Sequence, residues 1–422
     1  MSAAAQAELR SGIRFSVGQS GRRSNERAND GRSQEEDIEV EDPQPSCQRL
    51  EAANTTTEHL SPLWQRQDAA YGVWQLRVVQ RPSCRRRLSP ISSMLPVAVD
   101  AMGGDLAPQP ILDGAHAAAA AGAPVVLVGP DGLKGTTADG STLELIHASE
   151  VIGMLDDPAQ SVRGKKDSTL VRAAEAVRDG KASAMISAGN TGATMAAALL
   201  RMGRISGVKR PAIATPIPVP GTTPTVLLDA GANAEVQPEW LVQFALMGAV
   251  YARRRFGIEN PRVGLLSIGE EPGKGDTLRK AAHPLLAAAP GLNFIGNVEG
   301  RDVMSDDVDV CVTDGFTGNV VLKTLEGGMQ AVIGALLEAF AQPDYKEHAD
   351  ALMPALLPLY ETLNPDTYGG AVLLGVDGVC IIAHGSSGAR AIENGINVAC
   401  DLVKHDMVIE IRDAIAGAAP TD

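Results

Sequence analysis

Short apolar runs alternate with helical patterns along the chain after residue 93. Each run ends in a glycine-containing turn and, apart from the two-residue Phe294–Ile295, is as long as a buried strand. The runs are Leu95–Val99, Val125–Val128, Ala182–Ser187, Thr225–Leu228, Val263–Ile268, Phe294–Ile295, Val308–Val312 and Val379–Ala383. Between them, apolar residues recur at spacings of three and four, which indicates helices that bury one face. Strands that alternate with helices predict a mainly parallel α/β sheet with helices on both sides.

The stretch Asp307–Phe340 shows this pattern most clearly. Its apolar run ends at Asp314, and a helical stripe begins beyond Asn319 and reaches Phe340. The turn Asp314–Asn319 gathers two glycines, a carboxylate, a hydroxyl and a carboxamide beside the free N–H groups of the expected helix N-terminus. Such a turn at the carboxyl end of a strand binds anions in open α/β sheets. Thr and Asn at this position can equally be plain helix caps.

Residues 341–368 interrupt the alternation of strands and helices. Seven apolar side chains form a stripe there, namely Leu352, Met353, Leu356, Leu357, Leu359, Tyr360 and Leu363. Pro354 and Pro358 lie within this stripe, and each would delete a helical hydrogen bond. We therefore expect any helix in this segment to be short or kinked.

Residues 1–93 differ from the rest of the chain. They contain clusters of Ser, Arg, Gln and Glu without sustained periodicity, so we interpret them as a disordered extension of one folded domain at 94–422. Met94 directly precedes the first strand-like run and is a candidate natural start, which would make the extension an artefact of start-site assignment. The alternative is a genuine tail whose basic clusters meet an acidic partner.

Composition and charge narrow the classes of function. With 422 residues, 44% of them hydrophobic, the chain can bury one large core or two ordinary ones. A net charge of −14 and a pI near 5.0 argue against nucleic-acid binding. The five cysteines have no metal-ligand spacing and indicate neither disulfides nor a zinc site, which fits a reduced, cytosolic compartment. The absence of an eighteen-residue apolar run and of a signal-peptide pattern predicts a chain that is neither membrane-spanning nor exported.

The polar turns indicate where chemistry can occur. Six strand ends combine Gly with Asn, Ser, Thr, Asp, Lys or His, and we expect these ends to converge on one edge of a parallel sheet. Backbone N–H groups at such an edge suit a phosphate or an oxyanion. Asn190, Asn233 and Asn319 add neutral donors, although Asn is also common in tight turns.

The turn Gly269–Asp276 resembles a P-loop, but it is one residue short between its glycines and has Gly275 where a Ser or Thr belongs. No dinucleotide fingerprint follows the first strand. Lys274 remains a candidate point charge for phosphate, with a surface turn lysine as the alternative. His384, in the sequence HGSS, is either a donor that orients a ligand or a capped turn residue.

Taken together, these turns resemble one family, the phosphate acyltransferases of bacterial phospholipid synthesis. That family makes acyl phosphate from an acyl carrier protein thioester and inorganic phosphate. The matching stretches extend from Met94 to about Lys404 and are VAVDAMGGD (97–105), SAGNTGA (187–193), RPA (210–212), LDAGAN (228–233), PRVGLLSIGEE (261–271), KG (274–275), FIGNVEGRD (294–302), TDGFTGNVVLKTLEG (313–327), YGGAVLLGV (368–376) and AHGSS (383–387). Asp276 departs from the Asn expected of the family and would put a negative charge beside the phosphate site.

The resemblance implies a three-layer α/β/α Rossmann-like sandwich, related to phosphotransacetylase and to the isocitrate and isopropylmalate dehydrogenases. It implies a homodimer that uses no metal and no nicotinamide cofactor. It assigns Lys274 to phosphate or developing negative charge and Asn319 to the thioester carbonyl oxygen. Supporting substrate and phosphate contacts are implied for Asp100, Gly103, Gly104, Asn190, Thr191, Asn233, Asp314, Thr317, His384 and Ser386.

The resemblance also implies partners. An acidic carrier protein needs a local basic patch, for which the candidates are Arg253 with Arg254 and Arg255, Arg201 with Arg204, and Lys209 with Arg210. The family places a helical hairpin at 341–368, which attaches the cytoplasmic enzyme peripherally to the membrane and serves hand-off of acyl phosphate to a membrane glycerol-3-phosphate acyltransferase. The polar positions of this segment are mainly acidic, whereas amphipathic membrane helices usually carry Lys and Arg. The alternative is that Leu352–Leu363 packs across a dimer interface.

Three rival functions follow from other classes of protein. A phosphotransacetylase-like enzyme would use acyl-CoA with the same chemistry. A dehydrogenase of the related fold would need a nucleotide fingerprint and metal carboxylates, which the sequence lacks. A non-catalytic scaffold would not require so many polar glycine turns.

Overall fold

The computed structural model describes residues 64–66, 74–76, 94–133 and 142–418. The chain divides into two units, 1–77 and 78–422. In the first unit, strands β1 (Trp64–Arg66) and β2 (Trp74–Leu76) pair in an antiparallel ribbon. They fall within the segment 1–93 that we predicted to be disordered, and the assignment of that segment as a whole stays a prediction. The rest of residues 1–93 lies outside the described residues.

An eleven-stranded sheet is the centre of the described part of the second unit. In chain order its strands are β3 (Val97–Asp100), β4 (Val125–Gly129), β5 (Glu144–His147), β6 (Ala184–Ser187), β7 (Ala212–Ile217), β8 (Thr225–Leu228), β9 (Val263–Leu266), β10 (Phe294–Val298), β11 (Val310–Val312), β12 (Ala371–Leu374) and β13 (Val379–Ile382). Their spatial order is β10-β9-β11-β8-β7-β12-β13-β6-β3-β4-β5.

Helices connect most of these strands. They are α1 (Gln109–Ala120), α2 (Pro158–Gly164), α3 (Thr169–Arg178), α4 (Thr191–Ala197), α5 (Pro238–Phe256), α6 (Thr277–Ala288), α7 (Gly315–Phe340), α8 (Lys346–Leu363), α9 (Ala389–Lys404) and α10 (Met407–Gly417). A π-helical turn, Ala198–Met202, extends α4, and 3-10 turns lie at Asp302–Met304 and Pro365–Tyr368.

The helices cover both faces of the sheet and form a core on each. Successive residues of β3 show this, because Val97 and Val99 belong to one core and Ala98 to the other. Side chains of α1, α5, α6, α9 and α10 fill the first core, and those of α3 and α4 fill the second. The predicted three layers, helix on sheet on helix, are therefore present.

The sheet consists of two parallel halves that run in opposite directions. β8, β11, β9 and β10 form one half, and β13, β6, β3, β4 and β5 form the other. Three successive antiparallel pairings, β8 with β7, β7 with β12 and β12 with β13, join the halves and reverse the direction. The carboxyl ends of the two halves consequently lie at opposite edges, which we call the β8 edge and the β6 edge.

This reversal corrects the expectation that all six polar strand ends converge on one edge. The sequence pattern did not reveal β5, β7 and β12. A local apolar pattern also carries no information about strand direction, since direction is fixed by pairing with distant segments. Three unrecognised antiparallel pairings were enough to divide the polar turns between the two edges.

Helix α7 begins earlier than the sequence suggested. Asp314 is its N-cap, and Gly315 is its first residue, so most of the predicted turn forms the first turns of the helix. Gly315 and Gly318 are buried. The helix begins this early because Asp314 caps it. The Asp314 carboxylate accepts the N–H of Thr317 at 2.8 Å, which gives a hydrogen-bond partner to one of the free N–H groups of the helix N-terminus.

Of the two alternatives expected for this segment, a short helix or a kinked one, helix α8 shows that the first is wrong, and the kink stays a prediction. The helix runs for 18 residues and contains both Pro354 and Pro358. Pro354 has no N–H for the carbonyl of Asp350, but both residues are exposed, so water can hydrate that carbonyl. Loss of one helical hydrogen bond is tolerated where solvent replaces it.

Helices α7 and α8 leave apolar surface uncovered. They are consecutive but do not pack closely against each other. Exposed apolar side chains include Val320, Val332 and Leu336 on α7 and Leu352 and Leu359 on α8. In the described part of the chain, α7 is the one helix long and apolar enough, by length and composition alone, to cross a membrane. Its first turns nevertheless belong to the folded domain, because Gly315 and Gly318 are buried at the sheet.

Candidate active site

The reversal of the sheet divides the predicted site residues into two clusters. Lys274, Asn319, Asn233, Asp314 and Thr317 follow strands β8, β9 and β11, and they form the cluster at the β8 edge. The cluster at the β6 edge follows β3, β6 and β13 and contains Asp100, Gly103, Gly104, Asn190, Thr191, His384 and Ser386. Both residues expected to be catalytic thus lie at the β8 edge.

Asp229 organises the turn after β8. Its carboxylate accepts hydrogen bonds from the backbone N–H groups of Ile213, Gly231, Ala232 and Asn233, at 2.8–3.1 Å. The side-chain amide of Asn233 donates to Asp229 at 2.9 Å and to the carbonyl of Pro211 at 2.8 Å. The Asn233 amide is therefore engaged within the protein and holds this turn against the loop that precedes β7.

Helix α7 is fitted closely against the same turn. The N–H of Gly315 donates to the carbonyl of Asn233 at 2.7 Å. A Cβ atom built on Gly318 would lie only 1.9 Å from the Asp229 carbonyl oxygen, so only glycine fits there. These contacts bring Asn319 beside Gly231, whose φ of +144° favours glycine. A Cβ atom built on Gly231 would lie 3.6 Å from Asn319, which is an ordinary contact distance. Asn319 itself is exposed to solvent.

Arg279, on α6, joins the turn after β9 to the start of α7. Its guanidinium donates to Asp314, to the Thr313 hydroxyl at 2.8 Å and to the Thr317 hydroxyl at 3.2 Å. Asp314 in turn accepts the hydroxyl of Thr317 at 2.8 Å. Burial alone would raise the pKa of Asp314, but the hydrogen bonds from Thr317 and Arg279 outweigh it and hold the pKa below its ordinary value.

Asp276, whose role the family resemblance left open, has a structural role. It is the N-cap of α6 and accepts the N–H of Arg279 at 2.9 Å. It also accepts a second hydrogen bond, at 2.9 Å, from the Arg279 guanidinium. Its negative charge is thus directed to Arg279.

Lys274 remains available to a ligand at this edge. It lies on an exposed turn two residues before the N-cap of α6, and its side chain forms no ion pair within residues 94–133 and 142–418. Ser267 lies under the same turn, where its hydroxyl oxygen is buried and has no hydrogen-bond partner among the described residues. That oxygen would lie 2.9 Å from a Cβ atom built on Gly275. A cation, a free hydroxyl and the N-terminus of α6 therefore surround the end of β9.

Asp100 supports the loop after β3 at the β6 edge. It is 2% exposed and accepts the hydroxyl of Ser187 at 2.7 Å and the N–H of Met102 at 3.3 Å. Burial raises the pKa of Asp100. A Cβ atom built on Gly103 would lie 2.6 Å from the Asp100 carboxylate, so this loop requires a glycine in contact with the buried acid. Gly104 lies beside Ala188 and Gly385.

Asn190, His384 and Ser386, three of the remaining predicted residues at the β6 edge, are also hydrogen-bonded. Asn190 caps α4 by accepting the N–H of Ala193, and it donates to the carbonyl of Met154 at 2.8 Å. Thr191 is the exposed first residue of α4. The imidazole Nδ1 of His384 lies 2.7 Å from the hydroxyl of Ser386. Among the described residues, no three His, Cys, Asp or Glu side chains converge to hold a metal ion.

The three consecutive arginines expected to contact a carrier protein end helix α5. Arg253 and Arg254 both pair with Glu410, and Arg255 lies 3.8 Å from Asp401. Because α5 follows β8 and returns along the sheet, its last turn lies away from the β8 edge. Carrier-protein contact at these arginines stays a prediction, and their charges are already matched by acidic side chains.

Sequence reasoning missed Asp229 and Arg279. Asp229 carried a recognisable signal, since it directly follows a buried strand and precedes Ala-Gly-Ala-Asn. Arg279 carried none, because it lies inside a helical stretch and its partners Thr313, Asp314 and Thr317 are more than thirty residues away. Only the adjacency of β9 and β11 brings them together.

The chain is similar to known proteins over most of its length. Residues 95–410 match the family model described as fatty acid synthesis protein. The phosphate acyltransferase of Leptospira biflexa serovar Patoc is 45% identical over 328 residues, which cover 76% of this chain and 96% of the relative. That of Pelotomaculum thermopropionicum is 47% identical over 325 residues, which cover 76% of this chain and 94% of the relative.

Among solved structures, a phosphotransacetylase from Streptococcus pyogenes superposes with a TM-score of 0.50 at 13% identity. The alignment covers 75% of this chain and 95% of that one. At this identity the likeness concerns the fold, and it confirms the predicted relationship of the three-layer sandwich to phosphotransacetylase.

Proposed function

We propose, from the premise that this chain belongs to the phosphate acyltransferase family, that it transfers an acyl group from an acyl carrier protein thioester to inorganic phosphate. Transfer of an acyl group with phosphate is the chemistry of the family. The products are acyl phosphate and free carrier protein. The acyl phosphate then serves acylation of glycerol 3-phosphate by a membrane acyltransferase, which completes a step of phospholipid synthesis.

The observation that carries this proposal is that Lys274 and Asn319 lie at the same edge of the sheet. The two residues follow the adjacent strands β9 and β11, and Arg279 ties their turns together. Lys274 offers a positive charge and Asn319 an amide N–H, and both residues are exposed. A cation and a neutral donor on neighbouring turns suit an anionic nucleophile beside a polarised carbonyl.

The chemical step needs little beyond positioning. A phosphate oxygen attacks the thioester carbonyl carbon, the tetrahedral oxyanion collapses, and the carbon–sulfur bond breaks to release the carrier thiolate, which takes a proton. Phosphate is nucleophilic at neutral pH, so we assign no covalent acyl-enzyme. Orientation alone supplies up to about 7–11 kcal/mol in well-placed cases. We assign Lys274 to the phosphate and Asn319 to the oxyanion, where one donor is worth roughly 2.7–4 kcal/mol.

The residues of the β6 edge have a separate role in this proposal. Asp100, Asn190, His384 and Ser386 cannot reach the same ligand atom as Lys274 from the opposite edge of one subunit. We assign them to support of the loops after β3, β6 and β13, which could complete the substrate site only through the homodimer that the family resemblance implies.

The uncovered surface of α7 and α8 is the proposed site of assembly. Their exposed apolar side chains lack partners within one copy of the described chain. We propose that this surface pairs two copies in a homodimer, and that its outer part lets a cytoplasmic enzyme touch the membrane where acyl phosphate is used. Acidic side chains on α8, such as Glu347 and Asp350, favour the dimer over the membrane as the main contact.

An assay of both thioesters tests the proposed activity. The purified chain is given acyl carrier protein thioester with and without inorganic phosphate, and free thiol and hydroxylamine-reactive acyl phosphate are measured. We expect both products to appear together and only with phosphate. A higher kcat/KM for acyl-CoA than for the carrier thioester would favour the phosphotransacetylase-like alternative, and absence of phosphate-dependent thiol release from either would refute the proposal.

A further inference from the structure

A basic cavity lies beside the cluster at the β8 edge. It has a volume of about 740 Å³, and its lining includes Arg204, Lys209, Arg210, Gln237 and Trp240. The loop that contains the three basic residues leads into β7, which runs antiparallel to β8, so the loop ends at the carboxyl end of β8. Helix α5, which begins at Pro238, carries Trp240 at the same edge.

This cavity continues toward the predicted site residues. A second cavity of about 380 Å³ shares Arg210, Gln237 and Trp240 with the first and is also lined by Asn233 and by the acidic Glu235. The backbone carbonyl of Asn233 binds the N–H of Gly315, the first residue of the helix that carries Asn319. A ligand seated in the basic cavity would therefore be next to the turn that supports the proposed oxyanion donor.

The basic loop is held in a fixed shape. The guanidinium of Arg204 donates to the carbonyl of Lys209, and the N–H of Lys209 donates to the side chain of Gln243 at 2.8 Å. Gln243 also donates to the carbonyl of Gly207 at 3.0 Å. The Arg210 guanidinium lies over the indole ring of Trp240, 5.0 Å from its centroid. These contacts hold the backbone of the loop at Lys209 and the side chains of Arg204 and Arg210 at the cavity.

The charges of this loop are not matched within the described chain. No carboxylate forms an ion pair with Arg204, Lys209 or Arg210 in residues 94–133 and 142–418. This contrasts with Arg253, Arg254 and Arg255, which pair with Glu410 and Asp401. In a chain with a net charge of −14, a concave surface with three unmatched cations favours a strongly acidic partner.

We infer that the basic cavity is the docking surface for the acidic carrier protein that presents the acyl thioester. The inference rests on the proposed function and specifies where that partner binds. The unmatched cations attract and orient the acidic face of the carrier, while the cavity beside Asn233 receives the arm that bears the thioester. Of the three basic patches that the sequence offered, Lys209 with Arg210 lies at the edge of Lys274 and Asn319, and Arg204 of a second patch lines the same cavity.

Charge reversal with a matched control tests this assignment. Lys209→Glu and Arg210→Glu are compared with Lys166→Glu, which reverses an exposed lysine in the loop before α3. Each variant is assayed with acyl carrier protein thioester and with a small acyl-pantetheine thioester. We expect kcat/KM for the carrier thioester, relative to that for acyl-pantetheine, to fall about tenfold or more for Lys209→Glu and Arg210→Glu, mainly through KM. Lys166→Glu should keep the wild-type ratio.

The outcomes separate this inference from the proposed function. If the wild type does not act on the carrier thioester, the proposed function fails. If the wild type acts but Lys209→Glu and Arg210→Glu keep the wild-type ratio and salt dependence, only the docking surface is refuted. Loss of both activities together with a changed sedimentation coefficient would also refute it and would assign the cavity to contact between subunits.

A binding measurement that needs no turnover provides a second test. The full-length chain has three tryptophans, and replacing Trp64 and Trp74 with Phe leaves Trp240 as the reporter. We expect a tryptophan-free carrier protein to change Trp240 fluorescence at low salt and to lose this effect at high salt, because the contact is electrostatic. An unchanged spectrum at saturating carrier would contradict docking at this cavity.

Discussion

The guanidinium of Arg279, on the helix after β9, donates a hydrogen bond to the carboxylate of Asp314, the N-cap of the helix after the adjacent strand β11. Both residues are buried, with 8% and 5% exposure. The turn that bears Lys274 directly precedes the helix of Arg279, and Asn319 lies in the helix that Asp314 caps. The Arg279–Asp314 pair therefore sets the spacing of the two groups to which we assign catalysis.

Removing one member of the Arg279–Asp314 pair should destabilise the fold. Arg279→Gln leaves the Asp314 carboxylate buried without its cationic partner, and we expect a loss of about 3–5 kcal/mol in the free energy of unfolding. Urea unfolding of the two single variants and of Arg279→Gln with Asp314→Asn should give a coupling energy of roughly 0.5–3 kcal/mol. Strictly additive effects would mean that the two side chains do not act as a pair.

Acidification should weaken the same pair. The pKa of Asp314 is lower in the folded chain than its ordinary value of 3.8. The ionised carboxylate therefore contributes stability that is complete above the ordinary pKa and is lost as the pH falls through the folded value. Asp314→Asn keeps a capping residue but removes the charge. We expect the difference in unfolding free energy between wild type and Asp314→Asn to stay constant from about pH 7 to about pH 5 and to shrink progressively at lower pH, and a difference that stays constant to about pH 2 would contradict the assignment.

Close packing of α7 against the Asp229 turn predicts opposite effects for two glycines of that helix. A Cβ atom at Gly318 would meet the Asp229 carbonyl oxygen at 1.9 Å, so Gly318→Ala should destabilise the fold by about 1–3 kcal/mol. Nothing lies within 4 Å of a Cβ atom at Gly327. Gly327→Ala should therefore stabilise it by about 0.5–1 kcal/mol, which is the ordinary helical preference for Ala. Equal unfolding midpoints for the two variants would refute the close approach.

The sequence predicted the three layers of this fold better than it predicted which polar turns share an edge of the sheet. Apolar runs such as Val308–Val312 identify buried strands because burial on both faces excludes polar side chains. Strand β7, Ala212–Ile217, contains Pro216 and reverses direction relative to β8, which no local pattern reports. That reversal determines which polar turns share an edge. Motifs were therefore assigned to the right strands, while their mutual proximity required the structure.

The candidate site shows the same limit. Asn319 and Lys274 could be proposed from their turns and from family resemblance. The partners of Arg279 could not, because hydrogen bonds between the helices after β9 and β11 depend on which strands are neighbours. The sequence placed the negative charge of Asp276 beside the expected phosphate site without giving it a role, and the structure shows it capping α6 and pairing with Arg279.

Single substitutions at the two assigned catalytic residues should lower turnover without unfolding the protein. Lys274→Ala removes a charge, and Asn319→Ala removes a donor, from positions where negative charge develops. We expect each to lower kcat with carrier thioester and phosphate by roughly a hundredfold or more. Both residues are exposed, so thermal unfolding should stay near the wild-type midpoint.

Matched controls are available on the same helical segments. Lys280→Ala removes an exposed lysine from α6, and Gln330→Ala removes an exposed amide from α7 farther along the helix. Both should keep turnover near that of the wild type. Near-wild-type turnover in Lys274→Ala or Asn319→Ala would overturn the corresponding role.

The apolar surface of α8 predicts a test that distinguishes a dimer contact from a membrane contact. Leu356→Glu with Leu357→Glu places two charges among apolar residues of the helix, whereas Ala351→Glu with Ala355→Glu places the same charges at exposed positions. If the surface pairs two copies, the leucine variant should become monomeric in analytical ultracentrifugation and the alanine variant should remain dimeric, because only the leucines lose apolar burial. If the surface instead contacts lipid, the leucine variant should stay dimeric but no longer sediment with vesicles of phosphatidylglycerol and phosphatidylethanolamine. A wild type that never sediments with these vesicles would remove the membrane contact from the proposed function and leave the dimer contact. A leucine variant that remains dimeric and still sediments with vesicles would exclude this part of α8 from both contacts.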